Sequence, residues 1–273
     1  MSNDRGRLIA SERQREIVRR LADVGSLRIV DLVEAFDVSD ETIRRDLAVL
    51  EDQGYLTRTH GGAIADGRDS ETTFQRRARE FPAQKDAIAR AAAALVQDGS
   101  TIMMDSGTTM RHFATQLQHK RDLVVITNGI NNTNELLANP SLTLVLTGGV
   151  VRRATLGASG ELAVATLKSL HADQTFIATQ GFSAKAGLTY PSFEEVAVKR
   201  ALIESGGKVT LLADGSKCGR ASMVQVAPLT AVHRIITSPP IAADEQARIR
   251  ELGVELIIVG ETNADSLSSG DLA

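Results

Sequence analysis

From residue 99 onward the sequence repeats one pattern. A short, almost wholly apolar run is followed by a Gly/Ser/Thr turn and then by a stretch of helical periodicity. Residues 101–104, 123–127, 142–146, 174–178, 209–213, 232–237 and 256–259 predict strands, and residues 108–118, 130–138, 161–170, 193–204 and 243–252 predict helices between them. Near-continuous apolar strands alternating with helices predict an α/β fold with a mostly parallel sheet covered on both faces. No internal repeat is visible. Residues 74–99 precede this region as a helical stretch that Pro82 breaks into a short lead and an Ala-rich helix ending at Gly99.

The first sixty residues follow a different plan. Ile17, Leu21 and Val24, at i, i+4 and i+7, predict a helix between Ser11 and Gly25. Within residues 27–36, Val30, Leu32, Val33 and Phe36 supply the buried side of a second helix, and Asp37-Val38 makes a tight connection. Ser39-Asp40-Glu41-Thr42 opens a third helix in a capping pattern, and Ile43, Leu47 and Leu50 face inward. A helical wheel puts Arg45 and Glu41 nearly opposite that stripe, with Thr42, Arg44 and Asp46 on its flanks. Asp46 is expected to anchor an arginine. The helix should end near Gln53-Gly54. Residues 55–58 and 62–64 predict two short strands joined at His60-Gly61, a wing. The expected layout is a winged helix-turn-helix at 1–65, a linker at 66–73, an effector domain at 74–260 and a polar tail at 261–273.

Composition excludes several alternatives. Hydrophobic residues are 42% of 273 and aromatics 3%, with no Trp, so the core must come from Ala, Val, Leu and Ile. The single cysteine, Cys218, cannot form an internal disulfide. No apolar run nears the ~18 residues of a membrane span, and the charged start has no apolar signal region, so a cytoplasmic protein is expected. Net charge is −3, and residues 1–64 hold ten Arg and no Lys against twelve Asp plus Glu, a balance of −2. Any DNA-binding reading must therefore rest on where the arginines sit.

Spacing alone leaves two readings of the third helix open. It is either a recognition helix offering Thr42, Arg44 and Arg45 to the major groove, or part of a small helical module with solvated arginines. The literal residues carry more. V-S-x-x-T-I-R-R-D-L, L-E-x-x-G-x-L and R-x-H-G-G-A, within residues 38–63, match without a gap the DNA-binding signature of the DeoR family of bacterial transcription regulators, which this chain resembles. The resemblance implies that Ser39, Thr42, Arg44 and Arg45 contact DNA and that Arg58 and His60 sit on or beside the wing.

In the larger region Asp105-Ser106-Gly107-Thr108-Thr109 links a predicted strand to a predicted helix. Free N–H groups, the helix dipole and hydroxyl donors make such a turn an anion site, although a lone S-G-T-T is equally an ordinary helix cap. Thr127-Asn128, Gly148-Gly149 and Asp214-Gly215-Ser216-Lys217 also follow strands. Ligands of open α/β sheets bind outside the carboxyl ends of strands, so the four loops are expected to line one crevice. K-D-A-I-A at residues 85–89, D-S-G-T-T, T-N-G at 127–129, the glycine pair and D-G-S-K resemble the DeoR effector domain, whose fold is similar to ribose-5-phosphate isomerases. The resemblance runs from about Ser11 to about Ser238. It implies a phosphorylated sugar or related metabolite as effector, with Ser106 to Thr109 holding the phosphate and Lys217 meeting ligand oxygens. It also implies repression of an operon in double-stranded DNA by a homo-oligomer. In D-G-S-K, Gly215 stands where the family often has Ser. Arg152 and Arg153 are further phosphate candidates. Glu195 and Lys199 could reach the pocket, but their spacing favours a surface i,i+4 ion pair.

The alternative is an active sugar-phosphate isomerase with an added DNA-binding module. That chemistry needs a positioned carboxylate base, and Thr179-Gln180-Gly181 supplies none after strand 174–178. Glu195 is a candidate base without supporting carboxylates, so binding without turnover is expected. His60, His112, His119, His171 and His233 lack metal-ligand spacing. Cys218 beside Lys217 is either a low-pKa thiol or, the commoner case, a small buried residue. No cofactor, metal or membrane partner is expected.

Overall fold

The computed structural model describes residues 9–24, 26–52, 55–65 and 73–260, and the chain divides into two compact units, Met1–Thr73 and Phe74–Ala273. The predicted helix end at Gln53-Gly54, residues 66–72 of the predicted linker 66–73 and the tail at 261–273 lie outside the described residues.

The first unit runs α1 (Ala10–Val24), β1 (Ser26–Arg28), α2 (Ile29–Phe36), α3 (Asp40–Asp52), β2 (Leu56–Thr59) and β3 (Gly62–Ala65). Ile17, Leu21, Ile29, Leu32, Phe36, Ile43, Leu47, Leu50 and Leu56 pack as its core. Two expectations are corrected. Residues 26–28 are a strand rather than the start of a helix: β1 pairs antiparallel with β3, making the wing three-stranded in the order β1-β3-β2. The buried stripe of α2 is Ile29, Leu32 and Phe36, at i, i+3 and i+7, so Ile29 rather than Val30 faces inward and Val30 is 62% exposed. Asp37 in the left-handed region (φ 51°) ends α2. Ser39 Oγ accepts from Thr42 N at 3.3 Å, so the predicted cap is present. Asp46 is buried and accepts from Arg13 Nε at 2.5 Å and Gln14 Nε2 at 2.8 Å, joining α3 to α1 as the sequence suggested.

The second unit begins with α4 (Thr73–Arg79) and α5 (Pro82–Ala93), which stops six residues short of Gly99. It continues β4 (Thr101–Met104), α6 (Thr108–Gln116), β5 (Val124–Thr127), α7 (Ile130–Leu137), β6 (Thr143–Leu146), β7 (Val150–Arg152), β8 (Gly157–Ser159) and α8 (Glu161–Lys168). Then come β9 (Ala172–Ile177), β10 (Gly181–Ser183), β11 (Gly187–Tyr190), α9 (Phe193–Ser205), β12 (Gly206–Leu212), β13 (Val224–Ala227), β14 (Arg234–Thr237), α10 (Ala243–Glu251) and β15 (Glu255–Ile258). All seven predicted strands join one sheet, ordered β15-β14-β12-β9-β4-β5-β6 and parallel throughout. Side chains alternate between two cores: Met103, Ile177, Leu211 and Ile235 pack toward α8, α9 and α10, while Ile102, Met104, Phe176, Leu212 and Ile236 pack toward α5, α6 and α7. The β7–β8 hairpin and the antiparallel β10-β11-β13 sheet were not predicted. Among the described residues no helix is long and apolar enough to cross a membrane.

The strand order has one switch point. From β4 the chain steps outward through β5 and β6, then returns to the other side of β4 with β9 and continues through β12 and β14. The loops after β4 and β9 therefore diverge, and a crevice opens at their carboxyl ends.

Candidate functional site

In the first unit α3 exposes Ser39, Arg44 and Arg45, with Thr42 half-buried beside its cap; Arg58 lies on β2 and His60 in the turn of the wing. Arg44, Glu51, Arg58, Thr59 and His60 rim one concavity between α3 and the wing, floored by Ile29 and Leu47. The wing can close this tightly because residue 62 is glycine: a Cβ there would stand 2.0 Å from the Leu27 carbonyl oxygen. Each arginine on this face has a carboxylate against it. Arg44 pairs with Asp40 one turn earlier, Arg45 with Glu41 at 3.5 Å, and Arg58 Nε with Glu51 Oε2 at 2.8 Å.

In the second unit the switch-point cleft is lined by Ser106 to Thr109 after β4, Ala178 to Gln180 after β9, and Leu212 to Asp214 with Lys217 after β12. Arg77, Glu80, Lys85 and Tyr190 complete it. Gly107 is the N-cap of α6 with φ 121°, and no side chain caps the helix, so the ordinary-cap reading of S-G-T-T does not hold. Uncapped N–H groups and the dipole of α6 thus meet the cleft together with three cationic side chains, Arg77, Lys85 and Lys217. Lys85 is buried and donates to the Arg77 and Glu80 carbonyl oxygens, the latter at 2.5 Å. Burial lowers its pKa to about 8, with Asp214 and Glu80 opposing that shift. Asp214 Oδ1 accepts from Ser216 N at 3.1 Å and sets the turn that presents Lys217. Gly215 abuts the Ser238 carbonyl oxygen, which a Cβ would approach to 2.2 Å; a serine has no room there in this chain.

Asp105 forms the floor rather than the lining. Its Oδ2 takes a 2.5 Å bond from Lys199 Nζ and a 3.0 Å bond from Ala178 N, and Oδ1 accepts from Ser106 N at 2.8 Å. Lys199 also donates to Ala178 O at 2.8 Å and lies 4.2 Å from the centre of the Tyr190 ring. The surface Glu195–Lys199 pair is thus corrected. Both side chains are buried, and Glu195 instead meets Arg152 Nε at 3.4 Å and accepts from the Tyr190 hydroxyl at 3.4 Å. Desolvation drives this pattern: α9 covers the sheet, so each charge buried there needs its own partner.

The expected four-loop crevice narrows to the loops after β4, β9 and β12. Thr127, Asn128, Gly148, Gly149 and Arg152 are not among the cleft-lining residues, because the β7–β8 hairpin packs over that end of the sheet. Gly157 of the hairpin lies so close to Ser106 that a Cβ would come within 2.4 Å of its hydroxyl oxygen. Thr127 Oγ1 accepts from Gly129 N at 2.9 Å, Asn128 Nδ2 donates to Ala158 O at 3.1 Å, and Gly149 backs onto the Ser159 carbonyl oxygen. Arg152 ties the hairpin to the start of α9 through Ser192 at 2.6 Å and Glu194 at 3.1 Å, while Arg153 is exposed. Cys218 is half-buried, and burial raises its thiol to about 11, so it is no activated nucleophile. Among the described residues no cluster of three or more His, Cys, Asp or Glu could hold a metal.

The DeoR-like helix-turn-helix domain matches residues 13–68, and the DeoR C terminal sensor domain matches residues 80–239. The chain belongs to the DeoR family. A "Putative aga operon transcriptional repressor" of Escherichia coli O157:H7 is 34% identical over 254 residues, covering 92% of this chain and 94% of the relative. The "Glycerol-3-phosphate regulon repressor" of Escherichia coli K12 is 32% identical over 230 residues, covering 84% and 91%. As a DeoR-family protein the chain is a DNA-binding transcriptional regulator, and the isomerase alternative is not favoured. A ribose 5-phosphate isomerase from Plasmodium falciparum superposes with a TM-score of 0.37 at 16% identity over 50% of this chain and 53% of the other, too loose a likeness to build on.

Sequence reasoning missed Arg77, Glu80, Lys85, Thr179, Gln180 and Tyr190 as cleft residues. For Lys85 a signal existed. It lies on the same helical stripe as the buried Ile88, Ala89 and Ala92, where a solvated lysine has no place.

Proposed function

We propose that this DeoR-family regulator is a cytoplasmic repressor of a carbohydrate-catabolism operon. Residues 1–65 bind the operator, and residues 74–260 release it when a phosphorylated sugar or related metabolite enters the switch-point cleft. The observation that carries the reading is the uncapped N-terminus of α6 facing Arg77, Lys85 and Lys217 in one cleft, a combination suited to a phosphate. The repressor names of the aga and glycerol-3-phosphate relatives support the direction of control. Ser39, Thr42, Arg44, Arg45, Arg58 and His60 are the proposed DNA contacts. Ser106 to Thr109, Lys85 and Lys217 are the proposed phosphate contacts.

A thermal-shift screen of phosphorylated sugars, followed by gel shifts on DNA upstream of the chain's own gene, tests this. A phosphorylated hit should weaken DNA binding at least tenfold, and Lys217→Ala or Thr108→Val should abolish the response while sparing DNA binding. The response should also decline as pH rises through about 8: Lys85, with its pKa lowered to about 8, loses its proton there and with it the attraction to a phosphate dianion. Robust turnover of the hit would sink the reading of binding without catalysis.

We infer in addition that a second copy covers one face of the sensor unit. Most of the large exposed hydrophobics gather around the free β6 edge and the adjoining hairpin: Leu146, Val150 and Val151 with Ile130, Leu137, Leu162 and Phe193. Residues 141–151 carry no charge to protect that edge. An identical edge is self-complementary about a two-fold axis. Sedimentation should find an oligomer that Val150→Asp with Leu162→Asp converts to a folded monomer. An unchanged oligomer would move the interface elsewhere.

A further inference from the structure

The DNA-reading face of α3 and the wing carries its cations already matched. Arg44 pairs with Asp40, Arg45 with Glu41 and Arg58 with Glu51, and at the wing's base Arg28 Nη2 lies 2.6 Å from Asp31. Two of these are i,i+4 pairs along the exposed face of α3, with side chains more than half open to solvent. Pairs so exposed add little to folding. They do act on whatever approaches the face, because each neutralises its arginine in a unit whose charge balance over residues 1–64 is already −2.

We propose that Asp40, Glu41 and Glu51 are specificity-determining residues that suppress binding to non-cognate duplex. The proposal rests on the assignment of this face to DNA. Non-specific affinity comes almost wholly from cations that displace counterions from phosphates. Here each arginine must first leave a carboxylate, and the carboxylate then stays within a helical turn of the phosphate it repels. An arginine that gains only a phosphate contact recovers little. One whose planar fork grips a guanine edge gains two aligned hydrogen bonds, which offset the lost pair. Acidic partners thus lower affinity for arbitrary sequence more than for a cognate site, a repulsive element that raises discrimination. The wing pair adds a positional component, because Glu51 Oε1 also accepts from the backbone N of Arg58 at 2.9 Å. Its glutamine replacement keeps that acceptor.

The test measures the full chain against a labelled mixed-sequence duplex by fluorescence anisotropy, over about 50–200 mM salt. Asp40→Asn, Glu41→Gln and Glu51→Gln should each tighten binding about three- to tenfold, and the salt slope should steepen by about 0.9 for each arginine released. Glu34→Gln is the control: it is exposed on α2 and changes net charge equally, without an arginine partner among the described residues. It should change affinity less than about twofold on the same counterion scale. Gains no larger in the paired variants than in the control would overturn the proposal, whether all rise together or none does. Arg44→Ala and Arg45→Ala run beside them. If those two fail to weaken binding, it is the assignment of the face to DNA that fails. Thermal melts confirm that each variant is folded.

Discussion

Asp105→Ala should destabilise the sensor unit by about 3–5 kcal/mol, the cost typical of stranding one member of a buried ion pair. Asp105 and Lys199 meet at 2.5 Å with side chains 2% and 4% exposed. Among the described residues, loss of the carboxylate leaves an ammonium with Ala178 O and the Tyr190 ring for company, and strips Ser106 N and Ala178 N of their acceptor. For a unit of this size the change corresponds to a fall of about 10 °C in Tm. The double variant Asp105→Ala, Lys199→Met should recover much of it, because the stranded charge goes too. Circular-dichroism melts of the three chains check this. A single-variant loss below about 1 kcal/mol would mean the pair is not an essential strut of the cleft floor.

Asp46→Ala should cost a similar ~3–5 kcal/mol, but in the small DNA-binding unit, where that approaches the whole stability available. Asp46 lies in the recognition-helix candidate and holds Arg13 and Gln14 of α1. DNA binding should vanish and the early part of the urea transition should disappear, while the response to a phosphorylated ligand persists in the sensor unit. Arg45→Ala, on the exposed face of the same helix, should lose DNA binding with the unfolding midpoint unchanged. The contrast separates a residue that builds the surface from one that touches DNA. An Asp46→Ala chain that kept both its first unfolding transition and its DNA affinity would contradict the assigned anchoring.

The sheet was legible because its strands are apolar on both faces. Runs such as residues 101–104 and 174–178 have no solvated side to blur their limits, and they emerged within two residues of β4 and β9. The hairpin β7–β8 and the strands β10 and β11 were not legible, since runs of three or four residues, with a glycine in β8, β10 and β11, carry no usable alternation. The same shortness hid β1 and displaced the buried side of α2 from Val30 to Ile29. Within the cleft, Ser106 to Thr109, Asp214 and Lys217 could be found because backbone geometry after a strand puts them there. The Asp105–Lys199 pair spans 94 residues and depends on β9 lying beside β4 with α9 packed over both, a consequence of strand order rather than of local pattern. The T-N-G and glycine-pair loops are not among the residues lining this cleft for a related reason: the hairpin at their end of the sheet was itself invisible.

On the reading proposed above, a phosphate-bearing ligand in this cleft controls the affinity of the chain for DNA. The most direct measurement of that control is the dissociation constant for DNA upstream of the chain's own gene, with and without a saturating phosphorylated sugar identified by thermal shift, in wild type and in Lys217→Ala. At least a tenfold weakening by ligand is expected in wild type, equivalent to about 1.4 kcal/mol of differential affinity between the two states, and none in Lys217→Ala. A ligand that binds the cleft tightly yet leaves the DNA affinity of the wild-type chain unchanged would contradict that reading.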